Sequence, residues 1–137
     1  LEVVLDSGAC DHIMNIEDEC PGYSILPSAS SRRGNGFIVG NGARVPNEGE
    51  SALNLEACTA TGSTVSFSST FQAAKITRPR MSVSKICSNG FKVDFGEQEA
   101  LILDKQGSTV CRFERRGGLY VTRLKLKAPT PFGGQAR

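Results

Sequence analysis

The chain has no tryptophan, a single histidine, two methionines and two tyrosines among its 137 residues. With a hydrophobic share of 39%, it can build only a modest core. No apolar run approaches the ~20 residues that cross a bilayer as a helix, so no membrane partner is expected. No charged-then-apolar leader is visible, and the first residue is Leu1 rather than methionine, so the sequence reads as a piece of a longer precursor without a secretory signal. There is no Cys-x-x-Cys. The five cysteines (Cys10, Cys20, Cys58, Cys87 and Cys111) are odd in number, which argues against a disulfide framework and for a reducing, intracellular setting. There is no internal repeat. No basic patch interleaved with aromatics appears, so nucleic acid is not an expected partner of this domain.

What is present points to β structure. Fifteen glycines imply many turns. Leu1 to Leu5 reads as a buried strand. Residues 15–35, broken by Pro21, Gly22, Pro27 and Gly34, read mostly as loop. Gly40-Asn41-Gly42 between two short apolar segments is a hairpin signal. Ser51 to Ala57 and Thr64 to Ile76 alternate with period two, as do Phe91, Val93 and Phe95. Ser82 can cap one short helix whose apolar face is Val83, Ile86 and Cys87, closed by Asn89-Gly90. Three further strands are predicted over 100–104, 109–113 and 119–126. The prolines and glycines beyond Lys127 suggest a flexible tail.

Net charge is +2, but it is unevenly spread. Residues 1–63 carry three arginines against nine acids, and residues 64–137 carry thirteen bases against five acids. Such a contrast can draw two halves, or two subunits, together.

Leu5-Asp6-Ser7-Gly8-Ala9 carries the chemistry. A carboxylate at the end of an apolar strand is costly to fold unless hydrogen bonds relieve it, and a following serine and glycine can supply them. Asp-Ser-Gly alone is also a common turn. Three further features accompany it: Asp11-His12-Ile13-Met14, the glycine-bounded Phe37-Ile38-Val39-Gly40-Asn41-Gly42, and Arg78-Pro79-Arg80-Met81-Ser82-Val83-Ser84-Lys85-Ile86 followed by Asn89-Gly90. In order and spacing these resemble retropepsin-like aspartic proteases, most closely the protease region of copia-type retrotransposon Gag-Pol polyproteins. The likeness covers about residues 3 to 95.

That resemblance implies a mostly-β fold, half of a closed retropepsin β-barrel, with one short helix late in the domain. It implies a protease domain over residues 1–96, additional strands over 97–126 leading toward a pre-integrase-type linker, and a tail over 127–137. It implies an aspartic endopeptidase that cuts a polyprotein precursor in the cytoplasm, within virus-like particles, without cofactor. Asp6 would be catalytic. Ser7 would lock two active-site loops together, Gly8 would let them approach, and Ala9 and Asp11 would line the cleft. Val39, Gly40, Asn41 and Gly42 would belong to a flap over the substrate, and Val83 and Ile86 would pack beneath the active-site loop. Of the five aspartates only Asp6 precedes a Ser-Gly pair. Two carboxylates must hold the attacking water, so an active enzyme must be a homodimer.

Other readings are weaker. Cys10, His12 and Cys20 have Cys-x-His-x7-Cys spacing, but no compact fourth ligand follows, so no metal is expected. Cys10 and His12 could touch on an extended strand, yet no orienting group for cysteine-protease chemistry is identifiable. A catalytically silent dimerisation or peptide-binding domain is the alternative of a different class.

Overall fold

The computed structural model describes residues 1–59 and 61–130. These are mostly β. In chain order the elements are β1 (Glu2–Asp6), β2 (Ile13–Met14), α1 (Ile16–Glu19), α2 (Ala29–Arg32), β3 (Gly36–Ile38), β4 (Arg44–Pro46), β5 (Gly49–Cys58) and β6 (Thr64–Ala73). They continue with β7 (Arg80–Ser82), α3 (Val83–Ser88), β8 (Lys92–Phe95), β9 (Glu99–Leu103), β10 (Thr109–Arg116), β11 (Leu119–Arg123) and β12 (Lys125–Leu126).

Ten strands form one sheet in the order β12-β5-β6-β2-β7-β1-β11-β10-β9-β8, while β3 and β4 form a separate hairpin. Most neighbours are antiparallel, but β1 runs parallel to β7 and β2 parallel to β6. Period-two alternation selects the core face. Val3 and Leu5 of β1 are buried, as are Leu53, Leu55 and Ala57 of β5, Ala100 and Ile102 of β9, and Cys111 and Phe113 of β10. Phe71, Met14 and Leu124 complete this cluster. Each large side chain so buried contributes about 1.5–3 kcal/mol. Ile13, Ala74 and Ile76 form a second, smaller cluster against which Phe37, Val39 and Val45 of the hairpin pack.

Two expectations are corrected. The sheet does not close: its order has two ends, and no ladder among the described residues joins β12 to β8. β12 offers only two residues for pairing, and β8 turns Lys92, Asp94 and Phe95 to solvent. The helix placed late is there as α3, but α1 and α2 precede it within the stretch read as loop. Both are single turns made by local caps. Asn15 accepts from the Asp18 N–H at 3.2 Å, and Ser28 and Ser31 cap one another reciprocally. A four-residue helix has no periodicity for a sequence window to detect.

The boundary expected near residue 96 falls in the turn of the β8–β9 hairpin. The strands that follow continue the same sheet and bring β11 against β1. At the start of the stretch read as a tail, the Lys127 N–H donates to Asn54 O at 2.8 Å, and Tyr23 donates to Lys127 O at 2.7 Å. The Asn54 amide donates to Ala128 O at 3.2 Å. The remainder of that stretch, 131–137, lies outside the described residues.

The acidic first half meets the basic second half in ion pairs. Glu2–Arg116, Asp6–Arg80, Asp11–Lys85, Glu17–Lys75 and Glu56–Lys127 each join a carboxylate before residue 64 to a cation after it.

Gly49 opens β5 at a crowded position. Its φ is +131°, and a Cβ there would lie 2.3 Å from Leu26 O, the carbonyl that accepts from the Glu50 N–H. Gly49→Ala is therefore expected to destabilise the fold by at least about 2 kcal/mol, through overlap and backbone strain together. Urea denaturation monitored by tyrosine fluorescence or circular dichroism measures it.

Candidate active site

β1 is an interior strand, flanked by β7 on one side and β11 on the other. Its alternation puts Val3 and Leu5 into the core and leaves Asp6 half-buried at the strand's end, its side chain 31% exposed. Parallel pairing sets Asp6 opposite Ser82, so β1 and β7 finish side by side. The Gly8 N–H donates to Asp6 Oδ1 at 2.8 Å, and Arg80 Nη1 lies 3.7 Å from Asp6 Oδ2. One oxygen is thus held by backbone and the other faces a guanidinium. Partial exposure and these two partners relieve the cost of placing a carboxylate beside the core.

Beyond Asp6 the chain turns outward. Ser7, Gly8 and Cys10 are exposed, while Ala9 and Asp11 are half-buried. Ser7 is exposed, and its hydroxyl has no hydrogen-bond partner among the described residues. Ser82 anchors the loop from beneath. Its hydroxyl donates to Ala9 O at 2.6 Å and accepts from the Lys85 N–H at 3.1 Å, capping α3. Asp11 Oδ1 accepts from the His12 N–H at 3.1 Å and pairs with Lys85 Nζ at 3.1 Å. The residues expected at a cleft are therefore brought together as one loop, 6–11, seated on β7 and α3. Ile86 is buried and Val83 half-buried in the cluster that also holds Leu5 and Met81.

His12 closes the loop. It is buried, its ring centroid is 5.2 Å from that of Phe71, and Nδ1 accepts from the Ser82 N–H at 2.9 Å. A backbone donor at Nδ1 requires that nitrogen to be unprotonated, so the neutral ring carries its proton on Nε2. Burial drives the pKa of His12 down from 6.5 to about 4, against the raising effect of Asp11 and with a smaller lowering effect from Lys85. Cys10 is exposed whereas His12 and Cys20 are buried. No three His, Cys, Asp or Glu side chains gather as a ligand set among the described residues. Cys20 instead lies 3.4 Å from Met14 Sδ, and burial raises its thiol pKa to about 11.

The expected flap is a hairpin. Val39 N–H donates to Ala43 O at 2.9 Å, Gly42 N–H to Val39 O at 2.8 Å, and Asn41 Oδ1 accepts from the Ala43 N–H at 2.9 Å. Gly42 has a φ of +84°, which favours glycine at that turn position. Val39 faces the small second cluster, and Gly40, Asn41 and Gly42 are exposed at the tip. Pro46 sits in β4, which pairs only with β3, so its missing N–H falls on a free edge. No hydrogen bond or ion pair among the described residues joins this tip to Asp6.

Arg80 and Lys85, the cations facing Asp6 and Asp11, were not legible as site residues. Both lie in the segment 78–86, but nothing in the sequence says which strand β7 pairs with. Parallel register with β1 brings Arg80 there, and α3, which follows β7 directly, brings Lys85. No family model, curated protein or solved structure matches the chain.

Two outcomes follow from this geometry. Ser82→Ala removes both the helix cap and the anchor of Ala9 O inside a wholly buried site, and is expected to cost about 2 kcal/mol in urea unfolding. The second concerns pH. His12 is depressed in the folded state, so between pH 6.5 and about 4 the unfolded chain binds a proton that the folded one does not. Its contribution is full above pH 6.5 and declines as pH falls toward 4, by on the order of 3 kcal/mol in all. Unfolding midpoints across this range should fall with decreasing pH in the wild type, and His12→Gln should lose that part of the slope.

Proposed function

We propose that this chain is an aspartic endopeptidase of the retropepsin type, similar to the protease region of copia-type polyproteins, and that it works as a homodimer on extended polypeptide. The observation that carries the reading is the placement of Asp6-Ser7-Gly8. The carboxylate emerges at the end of an interior strand, is oriented by the Gly8 N–H and remains partly open to solvent. A second copy facing it across a two-fold axis would complete a pair of carboxylates. One would take a proton from the water between them while the other, holding the shared proton, would bond the substrate carbonyl oxygen. The unpartnered Ser7 hydroxyl would bond the facing loop. The hairpin tip at Gly40–Gly42 would cover the substrate.

A silent dimerisation or peptide-binding domain is the second reading. The observation that favours it is Arg80, whose guanidinium already neighbours one oxygen of Asp6.

Cleavage of the chain's own precursor at mildly acidic pH separates the two. Specific activity is expected to rise with protein concentration, and Asp6→Asn is expected to slow cleavage at least about a hundredfold. Excess Asp6→Asn protein mixed with wild type should suppress activity by forming mixed dimers. Equal cleavage by wild type and variant overturns the protease reading, and Asp6-dependent activity from a strict monomer overturns the homodimer.

A further inference from the structure

A cavity of about 330 Å³ lies among β6, α3, β9 and β10. None of residues 6–11 lines it, so it is distinct from the proposed active-site loop. Its walls are mainly apolar, with Phe67, Met81, Ile86, Ile102 and Val110 among them, and its volume lies in the range of small-molecule sites. His12 contributes to the same wall.

The histidine is what makes this space chemically specific. Its Nδ1 is occupied by the Ser82 N–H, so its one donor is Nε2–H. The described residues supply no acceptor for that donor. No buried side-chain nitrogen or oxygen among them is sealed away without a partner. Nε2–H is therefore presented to the cavity that the ring lines. Ser66, Ser68 and Asn89 also line the space but are exposed, and Ser69 is half-buried, so His12 supplies the one buried N–H among mainly apolar walls. Such a site favours a molecule with one acceptor and a hydrocarbon body. A carboxylate would have to surrender its hydration to enter, whereas a neutral carbonyl loses much less.

We propose that this cavity binds a small apolar molecule bearing one neutral carbonyl oxygen, with the oxygen on His12 Nε2–H and the body against Phe67, Ile86 and Val110. The site is independent of Asp6 and of any peptide hydrolysis.

Acetophenone and its isostere α-methylstyrene, in which a methylene replaces the carbonyl oxygen, make the test. His12 is the sole histidine, so its ring resonances form a single assignable set in a nitrogen-15 spectrum. Acetophenone is expected to shift the His12 Nε2–H resonance saturably and to bind about threefold to tenfold more tightly than α-methylstyrene. Val110→Phe, which fills the cavity, should abolish the shift. Asp6→Asn should leave it unchanged, which separates this site from the proposed protease. The proposal is overturned by the absence of a saturable shift, by equal affinity for ketone and alkene, or by a shift that survives in folded Val110→Phe. Should that variant not fold, the comparison of ketone with alkene on the wild type still decides.

Discussion

Ser82 is the residue on which the arrangement around Asp6 rests. It is wholly buried, and both its N–H and its hydroxyl are used. The N–H goes to His12 Nδ1, while the hydroxyl takes up Ala9 O and caps α3 through the Lys85 N–H. One side chain thus links the end of β7, the start of a helix and the loop that leaves β1. Without that link the loop 7–11 would have few internal bonds of its own. A buried polar group satisfied on every side is expensive to disturb, because any lost partner leaves another group unpaired away from water.

Electrostatics add orientation to this frame. Ion pairs between the acidic first half and the basic second half are individually weak where they face solvent. Asp11 is the best shielded of the five acids, Asp6 is half-buried, and their pairs with Lys85 and Arg80 bracket the loop. Arg80 gives Asp6 a cationic neighbour from the adjacent parallel strand. In a two-fold pair of such sites the second carboxylate would join a group already partly compensated. His12 holds the opposite end of the loop through a neutral ring, so the region combines one open carboxylate with one closed imidazole.

Local chemistry was well read from the chain. The period-two segments became strands close to their expected ranges, the Asn-Gly hairpin formed, and Ser82 capped a helix ending at Asn89-Gly90. The glycine after Asp6 does bring a backbone donor to the carboxylate. These features depend on neighbours within a few residues, which a sequence displays. The turns α1 and α2 were missed because side-chain caps, not a repeating apolar face, create them. The closed barrel was expected where the sheet's order has two ends, because closure depends on which distant edges meet. Residues 97–126 could not be recognised as partners of β1, since the β1–β11 pairing spans more than a hundred residues.

By itself the sequence determined that this would be a β-rich chain with a single Asp-Ser-Gly at the end of an apolar strand. It also showed that these residues hold only one such motif, from which the two-copy carboxylate pair is proposed. Alternation, turn residues and a count of aspartates suffice for that. Only tertiary structure decided that Arg80 faces Asp6, that Lys85 faces Asp11, and that His12 turns its Nδ1 to Ser82 while its ring lines a mainly apolar cavity. The reason is physical: parallel strand register and long-range packing place these groups together, and neither leaves a trace in the local pattern of residues.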